Sequence, residues 1–233
     1  MQTLTFRVDD GPTAASPVPG VLRLPNPADR VAAALLLHGY ASRKEDMAES
    51  AGEALLPLGV ASLSIDLPLH GERADPLELR SVRDPFALAS RWRTAIDEAR
   101  LALRFLAARP EIDGQRLALI GYSLGAYLAL AVAERDRAAS VVVLAAGGDL
   151  PDLPFAALIR AVADPMRGVR ALAGRPLLMV NGRRDRTILP VQAERLFAAA
   201  AEPKEIQWWD AGHYLPDAAV NQAAAWVARR LER

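Results

Sequence analysis

The stretch Gly121-Tyr122-Ser123-Leu124-Gly125 lies between an apolar run, 116–120, and an alanine-rich run, 126–134. A strand that passes directly into a helix, with serine at the bend, exposes the serine side chain at the edge of a sheet. The bend is tight, so the residues two before and two after the serine must be small, and both are glycine. The helix N-terminus adds partial positive charge beside the serine. The stretch therefore predicts a serine nucleophile, and the simpler alternative is a glycine-flanked turn of an ordinary α/β protein.

The composition favours one large domain, because 233 residues with 52% hydrophobic side chains can bury a sizeable core. Lys and Arg total 28, as do Asp and Glu, so the zero net charge argues against nucleic-acid and membrane-surface partners. The chain has no cysteine, which excludes disulfides, thiolate catalysis and cysteine metal sites. We find neither a signal-peptide pattern nor an apolar run long enough to span a membrane, and we expect a cytoplasmic protein without a membrane partner.

Apolar runs alternate with helical patterns along most of the chain. The runs typical of strands are 31–37, 60–65, 117–120, 140–145, 176–181 and 205–209. The helical patterns cover 45–58, 91–108, 126–134, 191–201 and 217–231. This alternation predicts βαβ crossovers and a mostly parallel sheet with helices on both faces. Two opening runs, 4–8 and 19–24, predict a further pair of strands.

Residues 147–175 separate two predicted strands by more than a simple crossover needs. Within this segment Phe155, Leu158 and Ile159 follow helical spacing. The segment comes after a strand end, where open α/β sheets place their ligands. Two interpretations remain open: a small apolar cap over the site, or a crossover helix that packs on the sheet. We therefore predict a single domain over 1–233, with 147–175 as the candidate cap insertion.

A serine hydroxyl needs a base within hydrogen-bond reach, and the base needs an acid that orients it. His213 follows the last predicted strand, and Asp185 follows the strand at 176–181. The chain order Ser123, Asp185, His213 matches one known order of such triads, and all three residues follow strands whose carboxyl ends meet at one sheet edge. We predict these three as the catalytic residues. Asp149, which follows the preceding strand, is the alternative acid.

With these residues the chain resembles the α/β-hydrolase family over nearly its whole length. Within that family it is similar to compact bacterial carboxylesterases of the dienelactone-hydrolase-like and prolyl-oligopeptidase-like branches. The stretches that carry the resemblance are His38-Gly39-Tyr40, the serine pentapeptide, Asp185, Ala211-Gly212-His213 and Asp66-Leu-Pro-Leu-His70-Gly71. The resemblance implies an α/β-hydrolase fold with a mostly parallel sheet of about eight strands and helices on both faces.

The resemblance also implies an oxyanion hole, formed by the backbone N–H groups of Tyr40 and Leu124. His38, His70 and Asp66 are expected to support the loops rather than to react. Side chains predicted to contact the substrate are Tyr40, Tyr122, Phe155, Leu158 and Ile159.

These expectations describe a serine hydrolase of carboxylic esters that acts through an acyl-enzyme. The short candidate cap predicts short-chain acyl or aryl esters as substrates, with a small-molecule ester as the partner and the oligomeric state left open. Neither a metal nor an organic cofactor is implied. A peptidase or amidase and a thioesterase remain alternatives on the same triad. A hydrolase-fold protein that binds a ligand without turnover is the alternative from a different functional class.

Overall fold

The structure, a computed structural model, describes residues 2–6, 17–26, 30–73, 84–151 and 156–232. One eight-stranded sheet forms its centre. The strands are β1 (Gln2–Phe6), β2 (Val18–Arg23), β3 (Val31–Leu37), β4 (Ala61–Ile65), β5 (Ile112–Tyr122), β6 (Val141–Ala145), β7 (Leu177–Gly182) and β8 (Lys204–Trp209). Their order across the sheet is β1-β2-β4-β3-β5-β6-β7-β8. Strands β3 to β8 run parallel, and β1 and β2 pair antiparallel at one edge.

The helices lie on both faces of the sheet. They are α1 (Lys44–Met47), α2 (Glu53–Leu55), α3 (Pro85–Ala107), α4 (Leu124–Arg135), α5 (Ala156–Ala163), α6 (Pro165–Arg170), α7 (Pro190–Ala199) and α8 (Asp217–Leu231). A π-helical stretch (Ala48–Gly52) joins α1 to α2, and 3-10 turns lie at Leu56–Leu58 and Gly71–Arg73. The predicted fold class is thus confirmed.

The central strands are apolar on both sides because two separate hydrophobic clusters cover them. In β3, Leu35 and Leu37 face the cluster formed with α3, α4, α6 and α7. Their neighbours Ala34 and Leu36 face a second cluster, formed with α8 and the α1–α2 segment. We call these the α4 face and the α8 face.

Two helices differ from their predicted bounds. The long helix begins at Pro85 rather than at 91, because the Asp84 side chain accepts a hydrogen bond from the Phe86 N–H at 2.9 Å and caps the earlier start. The single helix predicted over 45–58 is instead a succession of α1, the π-helical stretch, α2 and a 3-10 turn. It ends at Gly59, whose φ of 74° suits glycine.

The described part of the segment 147–175 forms α5 and α6, and both helices pack on the α4 face. Leu158 contacts the cluster on that face, and Val162 is buried in it. Ile159 packs against a small cluster of Tyr127, Leu150 and Ile188. Among the described residues α5 packs against α3 and α4, and α6 packs against α4 and α7. The role of the segment as a cap stays a prediction. Phe155 lies outside the described residues.

A buried ion-pair cluster joins the loop after β3 to the loop after β4. The Asp66 carboxylate accepts hydrogen bonds from the Lys44 N–H at 2.9 Å, the Lys44 Nζ at 3.0 Å and the Glu72 N–H at 3.0 Å. Lys44 Nζ also lies 2.6 Å from Glu72 Oε1 and 2.8 Å from Glu45 Oε1. Burial alone would lower the pKa of Lys44, but these carboxylates hold that pKa above its usual value. Lys44 is therefore a charged group that fastens both loops.

Replacing Lys44 with methionine, K44M, should lower the free energy of unfolding by about 3–5 kcal/mol, because buried Asp66 loses its charged partner. The matched control is R43M: the Arg43 side chain is 63% exposed and its ion pairs lie at the surface. Urea unfolding followed by circular dichroism measures both. A loss below about 1 kcal/mol in K44M would show that the cluster does not hold the loops.

Candidate active site

The bend between β5 and α4 places Ser123 at the carboxyl edge of the sheet. Ser123 has a φ of 51° and a ψ of −110°, and its N–H donates to the Ala145 carbonyl at 2.9 Å. A Cβ on Gly121 would lie 2.1 Å from the Gly125 carbonyl oxygen, and a Cβ on Gly125 would lie 2.0 Å from the Leu37 carbonyl oxygen. Both positions therefore require glycine, for the reason of close backbone approach that the sequence predicted.

The structure brings Ser123, His213 and Asp185 together. His213 Nε2 lies 3.0 Å from Ser123 Oγ, and His213 Nδ1 lies 2.8 Å from Asp185 Oδ2. With the Nδ1–H of His213 donating to the carboxylate, its Nε2 is free to accept the serine proton. These distances are those of a nucleophile, a base and an orienting acid.

Hydrogen bonds fix the Asp185 carboxylate at the end of β7. Its Oδ1 accepts from the Thr187 N–H at 2.7 Å and from the Ile188 N–H at 3.0 Å, and the side chain is buried. The other oxygen remains directed at His213. These backbone donors therefore hold the carboxylate in one orientation.

Asp149, the alternative acid, is bound elsewhere. Its carboxylate lies 2.9 Å from Arg160 and 3.5 Å from Arg195, and it accepts from the Leu150 N–H. These contacts tie α5 and α7 to the end of β6. The geometry therefore favours Asp185 as the partner of His213.

Tyr122 holds the loop that carries His213. Its hydroxyl donates to the His213 carbonyl oxygen, and the two rings meet edge to face with centroids 5.9 Å apart. Burial raises the pKa of Tyr122 to about 12, so the hydroxyl stays a donor at neutral pH. This positioning contact is missing from the sequence-based predictions, because nothing in the sequence links residue 122 to a loop ninety residues away.

The loop after β3 is locked by buried His38. Its Nδ1–H donates to the Gly39 carbonyl at 2.8 Å, and its Nε2 accepts from the Leu67 N–H at 3.1 Å. Burial lowers the pKa of His38 to about 4, so the ring is neutral at pH 7, as an acceptor at Nε2 requires. The His70 Nδ1–H donates to the Pro68 carbonyl at 2.9 Å. Both histidines therefore form hydrogen bonds that support the loops, as expected.

Two backbone segments border the serine where an oxyanion would form. Leu124 is the first residue of α4, and the first N–H groups of a helix have no partner within the helix. Gly39, the residue before Tyr40, lies so close that a Cβ on it would be 3.5 Å from the Ser123 Cβ. Leu124 thus follows the nucleophile directly, and the backbone just before Tyr40 lies beside it; their role as an oxyanion hole stays a prediction.

A cavity of about 670 Å³ opens at Ser123 and His213 and extends along the α8 face of the sheet. Tyr40 and Tyr122, two of the predicted substrate contacts, line it. Leu158 and Ile159 do not line it, because their helix packs on the opposite face of the sheet. Their role as substrate contacts stays a prediction. The helical spacing of the apolar residues correctly predicted that one face of this helix is covered, but it could not show which surface covers that face.

The described residues contain no group of three or more His, Asp or Glu side chains placed to hold a metal ion. None of the described helices combines the length and the apolar character that crossing a membrane requires.

Solved structures with this fold include several hydrolases. TT1662 from Thermus thermophilus superposes with a TM-score of 0.77 at 24% identity and full coverage of both chains. The esterase domain of a Rhodothermus marinus protein superposes with a TM-score of 0.71 at 24% identity, with 98% of each chain covered. A cold-adapted esterase from an Arctic intertidal metagenomic library superposes with a TM-score of 0.75 at 20% identity, and the match covers 98% of this chain and 92% of that one. At these identities the likeness establishes the fold.

Curated relatives match over a shorter region. An uncharacterized protein of Mycobacterium tuberculosis is 32% identical over 114 residues, which cover 46% of this chain. The match spans only 41% of the relative's length. A family model described as "Alpha/beta hydrolase family" matches residues 34–229, which include all three residues of the hydrogen-bonded triad. The chain therefore belongs to the alpha/beta hydrolase family.

Proposed function

We propose that this protein is a serine hydrolase that cleaves carboxylic esters through an acyl-enzyme. The observation that supports this most is the continuous hydrogen-bonded chain from Ser123 through His213 to buried Asp185, at the mouth of an apolar cavity. Esterases among the similar structures agree with this chemistry.

In the proposed first step His213 Nε2 takes the Ser123 proton while Oγ attacks the ester carbonyl carbon. Asp185 holds the Nδ1–H of His213 and stabilises the imidazolium cation that forms. The carbonyl oxygen becomes an oxyanion between the N–H groups of Tyr40 and Leu124. Donors aimed at this oxygen stabilise the transition state by about 3 kcal/mol each.

Collapse of the tetrahedral intermediate breaks the bond to the alcohol oxygen, which takes the proton from His213. A water molecule then loses a proton to His213 and attacks the acyl carbon, and the carboxylic acid leaves as Ser123 regains its proton. Every proton moves through His213 Nε2. The chemistry is the same for a thioester, whose leaving group is a thiol.

The preference for short-chain acyl or aryl esters rested on the short candidate cap and on a lining by Phe155, Leu158 and Ile159. The two described residues of that lining, Leu158 and Ile159, lie on the other face of the sheet from the cavity. The cavity that does open at Ser123 is large and mostly apolar. Acyl size is therefore argued below from that cavity.

A fluorophosphonate probe should label the wild-type protein on Ser123, because the activated hydroxyl attacks phosphorus as it attacks an ester. The variant S123A should be unlabelled and should lose ester hydrolysis by at least 10³-fold. Intact-mass spectrometry and an assay with 4-nitrophenyl esters measure both. A folded wild-type protein that stays unlabelled would instead be a non-catalytic ligand-binding member of the fold.

The variant D185N should lower kcat by about 10³- to 10⁴-fold, because His213 loses the anion that sets its tautomer. The matched control D149N replaces the other buried aspartate, which binds Arg160 and Arg195. Its kcat per folded molecule should stay within about threefold of wild type. A large fall in D149N with little change in D185N would reverse the assignment of the acid.

The variant Y122F should lower kcat/KM about fivefold, since it removes one hydrogen bond, worth about 1 kcal/mol, to the loop of His213. The pKa of Tyr122 is about 12, so its hydroxyl donates at every lower pH. The ratio of wild type to Y122F should therefore be constant from about pH 6 to 10. A ratio that shrinks steadily across this range would show that the hydroxyl titrates and is not the fixed donor.

A further inference from the structure

We propose that the cavity on the α8 face binds the acyl chain of the ester and selects uncharged chains that are longer than acetyl. This inference rests on the proposed function and adds the substrate class to it. At roughly 30 Å³ for each chain atom, the share of volume that one water has in the liquid, the cavity of about 670 Å³ holds an octanoyl group with space to spare.

The floor of the cavity is the sheet itself. Ile120, Val143 and Val180 come from the neighbouring strands β5, β6 and β7, and all three belong to the cluster on the α8 face. The cavity therefore extends from Ser123, at the end of β5, across two more strands. An extended hydrocarbon chain that starts at the serine would lie on these three side chains.

The opposite wall is helix α8, which carries small residues where larger ones would fill the space. Ala219, Val220, Ala223 and Ala224 line the cavity, and their spacing of four residues puts them on one side of the helix. Ala51 and Leu55 close the side, and Ala51 lies in the π-helical stretch. Folded cores are close-packed, so an apolar space of this size beside a nucleophile indicates a ligand subsite.

The charges at the cavity favour a neutral chain. The ionisable side chains among the described lining residues are Asp46, Asp217, His213 and three tyrosines, with neither lysine nor arginine. Asp46 is partly compensated, because Arg43 Nε lies 3.7 Å from its Oδ1 and Ser42 Oγ donates to its Oδ2 at 2.7 Å. A carboxylate at the end of the acyl chain would find no cation within this lining.

The cavity suits the acyl group better than the alcohol. The acyl group stays bonded to Ser123 while the alcohol leaves and water enters. On the outer side of the mouth stands Tyr214, whose side chain next to His213 is 86% exposed. The alcohol therefore lies toward solvent, and selectivity falls on the acyl chain.

The test compares 4-nitrophenyl acetate, butanoate, hexanoate and octanoate. For the wild type we expect kcat/KM to rise about fourfold with each methylene, the value for complete burial of a CH₂ group. In A223L the added side chain occupies the cavity, so the octanoate-to-acetate ratio should fall at least tenfold. The matched control is A225L, the same change on the same helix at a residue outside the lining, and it should keep the wild-type ratio.

A second variant, A51L, places a larger side chain in the cavity from the π-helical stretch. It should lower the octanoate-to-acetate ratio as well, so the test does not depend on the folding of A223L. A further series fixes the acyl group as hexanoyl and varies the alcohol from ethyl to hexyl; kcat/KM should stay within about threefold. A wild type that prefers acetate, or a length dependence that follows the alcohol, would overturn the proposal.

A fluorophosphonate with a short ethyl chain separates the two levels of the argument. If it labels Ser123 in all variants while the acyl ratios do not change, the hydrolase assignment stands and the subsite is wrong. If it labels none of them although circular dichroism shows folded protein, the proposed function fails and the acyl subsite fails with it.

Discussion

The site depends on how closely the bend after β5 approaches the end of β3. The position of a Cβ on Gly125 lies 2.0 Å from the Leu37 carbonyl oxygen, so the two backbones touch directly. This contact sets Ser123 next to the Gly39–Tyr40 loop. Any side chain at residue 125 would force the helix that starts at Leu124 away from β3 and would separate the nucleophile from one of its two proposed oxyanion donors.

The two faces of the sheet have different roles around this contact. The α4 face carries the crossover helices, including α5 and α6, and packs without involving the lining of the cavity. The α8 face carries the cavity that opens at the serine. The ion pair of Lys44 with Asp66 and the hydrogen bonds of His38 hold the loops at the rim where both faces meet. The packed crossover helices and the cavity therefore lie on opposite sides of the same strands.

Much of this arrangement follows from the sequence because parallel strands end at the same edge. The apolar runs locate those ends, so Ser123, Asp185 and His213 could be placed together before any distance was known. The packing of Leu158 and Ile159 on the α4 face could not be predicted, because helical spacing shows that a face of a helix is covered without showing which surface covers it. The cavity could not be predicted either, because alanines such as Ala223 look like ordinary helix formers until the opposite wall is known.

The space under α8 also changes how that helix is held. Ala219 and Ala223 border the cavity, so part of the surface of α8 faces an open space, and the helix makes fewer packing contacts there than a close-packed helix would. A hydrocarbon chain in that space supplies the missing contacts. Local opening of the last helix should therefore be rarer in the acylated protein than in the free one, and each catalytic cycle tightens and then loosens this end of the fold.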